Sequence, residues 1–149
     1  MQTKTVVKAR LTGVAESHSL TLLKVRDLVD VSDEPEIRGG TNEGFAPTEM
    51  FLGSLAACSN VITHKIAKKH GIEIDSLEIG VDAEFNRLGV TLTEEIALPF
   101  PRILLEFKIG TSADEAAIET LKSELPKFCP VAKMIEGAGT EIVSTWIVN

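Results

Sequence analysis

The sequence predicts an α+β fold, a single domain over residues 1–149, in which antiparallel strands accompany one long cysteine-bearing helix. Three observations lead there. Leu77, Ile79, Val81, Ala83 and Phe85 alternate with Glu78, Gly80, Asp82 and Glu84, the period-two pattern of a strand with one wet face. Ile103, Leu105, Phe107 and Ile109 alternate with Arg102, Glu106 and Lys108, and half-polar strands of this kind favour antiparallel pairing. Between them and the N-terminus lies Pro47–His70, which reads as a helix ~36 Å long at ~1.5 Å per residue.

Residues 5–11 and 20–25 are rich in Val, Leu and Thr and read as strands. Residues 32–46 follow as a long loop containing Pro35, Gly39, Gly40 and Gly44; loops of this length without regular structure are often functional. The helix begins at Pro47, whose missing N–H costs nothing in the first turn. Glu49 suits the N-terminal dipole, and Lys68, Lys69 and His70 before Gly71 suit the C-terminal one. Its first half is apolar nearly all round (Met50, Phe51, Leu52, Leu55, Val61, Ile62 among others), which requires cover on several sides. A second helix opens with the capping-box pattern Ser112 to Glu115, presents Ile118, Leu121 and Leu125 as a stripe, and is expected to stop at Pro126. A third, short helix runs over about residues 130–136 before Gly137, placing Cys129 at its N-cap, and residues 142–148 close the chain as a strand.

Composition narrows the function. A domain of this size buries roughly 68–70% of its unfolded surface and needs neither metal nor crosslink to fold. A net charge of −7, one Trp and no Tyr argue against a nucleic-acid partner, which calls for basic stripes and stacking aromatics. No run approaches the ~18 apolar residues of a membrane span, and the alternating start is not a targeting leader, so a cytoplasmic protein is expected. His18, His64 and His70 show no zinc-ligand spacing, and the Gly39 to Gly44 segment lacks the ending of a phosphate loop; neither metal nor cofactor is expected.

Cys58 and Cys129 are the only cysteines. Two thiols without a leader read as reduced cysteines whose disulfide would be transient and functional, against the plainer reading of two small buried hydrophobes. A thiolate attacks and a thiol does not. Cys129, at a helix start, has local help in ionising, although Pro130 supplies no N–H; Cys58 lies about three turns into its helix and has none. Glu49, nine residues before Cys58, falls on roughly the opposite face of a straight helix, so it reaches that sulfur only through curvature, a connecting group such as Arg38, or a second subunit. Otherwise it is a carboxylate that stabilises the helix start. A Cys–His hydrolase would need its base from His18, since His64 points elsewhere.

The run from Gly39 through Pro47, Glu49 and the Ala57-Cys58 pair resembles the signature of OsmC/Ohr proteins, and Phe128-Cys129-Pro130-Val131 resembles their second cysteine motif. The Pro-x-Glu form at Glu49 matches the OsmC-like branch, while residues 12–19 lack the arginine that Ohr proteins carry after their first strand. The resemblance implies sheets wrapped around the long helices of an intertwined homodimer. It implies thiol-dependent reduction of organic hydroperoxides, with Cys58 attacking, Cys129 resolving and an external dithiol as reductant. A noncatalytic module that holds a small apolar ligand is the alternative.

Overall fold

In the computed structural model, which describes residues 4–149, the chain divides within its long helix into a unit ending at Phe51 and a unit beginning at Leu52. The N-terminal unit holds β1 (Thr12–Ala15), β2 (Thr21–Val25) and β3 (Leu28–Ser32), paired antiparallel in chain order. β2 and β3 form a hairpin closed by Arg26-Asp27, with Val25 opposite Leu28. Arg26 takes a φ of 54°, the conformation that a two-residue hairpin needs at its first turn position and usually obtains from Gly. β3 was not expected, because Arg26 carries no glycine signal. Residues 5–11 are not a strand. Val6 and Val7 are 84% and 79% exposed, and β-branched side chains cannot make a strand without a neighbouring backbone to pair with.

The loop at 32–46 is built around Asp33, which is fully buried. Its carboxylate accepts the Thr41 hydroxyl at 2.5 Å and the backbone N–H groups of Glu34, Thr41 and Glu43 at 2.8, 3.1 and 3.2 Å. These donors, the Thr41 hydroxyl foremost, hold the Asp33 carboxyl well below the usual carboxylate range despite its burial. The loop therefore has more structure than its composition suggests, including a 3₁₀ turn at Glu36–Arg38. A Cβ at Gly40 would collide with the Glu34 carbonyl, and one at Gly44 with the Val31 carbonyl, so glycine is required at both.

Helix α1 spans Pro47–His70, the bounds read from the sequence. Gly71 ends it at φ 68°, with Ile72 N–H returning to the Ala67 carbonyl at 2.8 Å. In the C-terminal unit β4 (Ser76–Glu84), β5 (Arg102–Gly110) and β6 (Glu141–Val148) form a sheet in that order. β4 and β5 pair antiparallel over nine residues each, as expected. β5 and β6 pair parallel, which corrects the expectation of wholly antiparallel sheets. Two helices lie between these strands in the chain, and such a crossover returns β6 in the same direction as β5.

Those helices are α2 (Glu115–Phe128) and α3 (Pro130–Gly137). Asp114, not Ser112, caps α2, its Oδ1 accepting the Ala117 N–H at 2.9 Å. Pro126 does not stop α2: a proline gives up its own N–H bond and crowds the carbonyl four residues back, but the turn after it still closes through Cys129 N–H to the Leu125 carbonyl at 3.0 Å. The core of this unit joins Ile103, Leu105, Phe107 and Ile109 of β5 to Ile118, Leu121 and Leu125 of α2 and Ala132 and Ile135 of α3. Phe107 stacks on Trp146 of β6, ring centroids 4.1 Å apart.

The depressed Asp33 carboxyl makes stability pH-dependent. Its contribution is present above its unfolded pKa, about 4, and is lost as pH falls toward the lower folded value. Urea unfolding between pH 7 and 3 is expected to show a fall in midpoint below about pH 4 that Asp33→Asn reduces, and an unchanged pH profile in that variant would remove Asp33 from this role.

Candidate functional site

The two thiols, 71 positions apart in sequence, are in contact. Cys129 S–H donates to Cys58 Sγ across 3.1 Å, and both cysteines are free. A disulfide bond is ~2.05 Å, so an approach of about 1 Å joins them. Their surroundings differ. Cys58 is partly exposed on α1, whereas Cys129 is completely buried.

The placement of Cys129 follows from Pro130. A proline disfavours helical geometry at the residue before it, and Cys129 is accordingly extended, with φ −75° and ψ 106°, between α2 and α3. As the N-cap of α3 it accepts the Ala132 N–H at 3.5 Å on Sγ. Burial is the largest influence on this thiol and pushes its pKa up. The Ala132 and Val131 N–H groups oppose that rise, while the neighbouring Cys58 sulfur adds to it. Burial therefore favours the neutral thiol at Cys129, whose S–H points at Cys58.

On α1 the buried stripe is Leu55, Ser59, Thr63, Ile66 and Ala67. Cys58 sits beside that stripe, with Ala57 and Val61 exposed on its outer side. Ile62, one turn beyond Cys58, and Phe128, the residue before Cys129, help line an apolar groove of about 250 Å³ together with Lys65, Ile66, Lys69 and Glu124. His70 Nε2 meets Glu124 Oε1 at 3.1 Å, tying the end of α1 to α2.

The remaining candidates have partners of their own. Glu49 lies in the N-terminal unit, where its Oε2 accepts the Ala46 N–H at 3.0 Å and so closes the start of α1. Arg38 Nε pairs with Glu34 Oε2 at 2.6 Å on a half-exposed side chain. His18 bonds the Gly39 carbonyl, and His64 bonds the Asn60 carbonyl one turn back. Among the described residues, no three His, Cys, Asp or Glu side chains gather as a metal site, and no helix is long and apolar enough to cross a membrane. The sequence reading missed Asp33, for which the acidic run beside Pro35 was the available signal, and the backbone N–H of Ala132, which no side-chain pattern reveals.

A family model described as OsmC-like protein matches residues 40–144. Comparison with individually curated sequences finds no match. Among solved structures, an OsmC-like protein from Mycoplasma pneumoniae superposes with a TM-score of 0.80 at 20% identity, covering 95% of this chain and 97% of that one. An organic hydroperoxide resistance protein from Elizabethkingia anophelis gives 0.71 at 18% identity, over 99% and 100% of the two chains. An organic hydroperoxide resistance protein, also described as a predicted redox protein, from Legionella pneumophila gives 0.69 at 17%, over 98% and 99%. At these identities the likeness establishes the fold.

The asymmetry of the pair is measurable by alkylation. In the reduced, folded protein at pH 8, iodoacetamide is expected to modify Cys58 at least about tenfold faster than Cys129, and urea should abolish the difference. Equal rates in the folded state would contradict the burial of Cys129.

Proposed function

The chain belongs to the OsmC-like protein family, and from that premise and its paired thiols we propose that it is a thiol-dependent peroxidase acting on organic hydroperoxides. The observation that carries the reading is the 3.1 Å contact between one accessible and one buried sulfur. Cys58, the accessible member, attacks the distal peroxide oxygen. The O–O bond breaks, an alcohol departs, and Cys58 becomes a sulfenic acid. Cys129 then attacks that sulfur as its proton passes to the departing hydroxyl, which leaves as water, so that a disulfide remains, and an external dithiol returns two electrons and two protons. Glu49 serves this cycle by holding the start of the helix that carries Cys58.

The active form proposed is a homodimer. In the single chain Val61 of α1 remains 48% exposed, Leu28 and Val29 of β3 are 53% and 61% exposed, and a second copy would cover such surface. A second reading rests on the groove at Ile62, Ile66 and Phe128: a noncatalytic module that holds an apolar ligand while its thiols stay reduced.

Reduced protein treated with cumene hydroperoxide is expected to lose the mass of two hydrogens per chain, read by intact mass spectrometry. Cys58→Ser should abolish the reaction, and Cys129→Ser should leave a dimedone-reactive sulfenic acid on Cys58. Thiols that survive the peroxide untouched would reject the peroxidase in favour of the binding module.

A further inference from the structure

The reductive half of the cycle has a direction, set by where the two sulfurs sit; it rests on the peroxidase reading. We propose that the reducing thiolate attacks Cys58 Sγ of the disulfide and expels Cys129, so that the mixed disulfide forms on Cys58 and never on Cys129.

Thiol–disulfide exchange requires an attacking sulfur to reach one disulfide sulfur from the side opposite the other, so access selects the target. Cys129 offers none. It is fully buried, with Leu125 before it and Ala132 and Ile135 after it also in the core. Cys58, by contrast, is partly exposed on α1.

The leaving sulfur is also provided for. As the S–S bond breaks, its electron pair moves onto Cys129 Sγ, which already accepts the Ala132 N–H at the start of α3. Burial then favours the neutral thiol, so the expelled Cys129 takes up a proton. A protonated thiol is a poor nucleophile toward a disulfide, which has no departing oxygen to take its proton, and return to the original disulfide is slowed. The mixed disulfide on Cys58 thus lasts until the second thiol of the reductant attacks the reductant's own sulfur, closing it to a cyclic disulfide and releasing Cys58. Two electrons and two protons pass from the dithiol to the pair, and no other reactant is needed.

A trapping experiment decides the direction. The bridge is formed with diamide, which requires no peroxidase activity. The oxidised protein is then exposed briefly to glutathione, quenched in acid, treated with N-ethylmaleimide and mapped by peptide mass spectrometry. Glutathione is expected on the Cys58 peptide at about tenfold or greater excess, with the maleimide on Cys129. Glutathione on Cys129, or shared equally, overturns the assignment while leaving the peroxidase reading intact. Failure of diamide to form the bridge overturns both.

Discussion

A one-residue break between two helices is the constraint on which the site depends. Pro130 disfavours helical geometry at its predecessor, and Cys129, which is extended, ends α2 through its own N–H to the Leu125 carbonyl and begins α3 by accepting the Ala132 N–H on sulfur. Both sides of the break fix the same residue. An N-cap interaction is worth about 1 kcal/mol, modest alone, but here it also sets which way the thiol points. Without the proline, the backbone could run through position 129 as continuous helix, and nothing local would aim that side chain.

The second sulfur is placed by packing. α1 buries Leu55, Ile66 and Ala67, and burial of a Leu or Ile side chain contributes roughly 1.5–3 kcal/mol. Those terms outweigh any thiol–thiol hydrogen bond, so the core dictates the position of Cys58 and the sulfur contact is its consequence. The same packing separates the roles. Cys129 faces inward among Leu125, Ala132 and Ile135, while Cys58 lies at the edge of the buried stripe with one side open.

Local signals in the sequence were read most faithfully. Pro47 and Gly71 bracket α1, the alternation in β4 and β5 survives as burial, and Cys129 occupies its expected cap. What failed depended on partners that the local pattern does not contain. Residues 5–11 have strand composition but no strand beside them, β3 was hidden by an arginine at a turn position usually given to glycine, and β6 runs parallel because of what precedes it. Of the site, the two cysteines were legible as candidates, but their contact across 71 positions was not, since no local period encodes it. Glu49 was legible as a carboxylate at the helix start, and there it accepts the Ala46 N–H.

Family membership and fold place this chain among OsmC-like proteins, and the paired thiols give it a redox reading of its own. Equilibration in glutathione buffers of graded thiol-to-disulfide ratio tests the pairing most directly. Adjacent sulfurs predict a single two-electron transition in which both thiols disappear together into an intramolecular bridge. Separate glutathionylation of Cys58 and Cys129, with no bridge at any ratio, would contradict it.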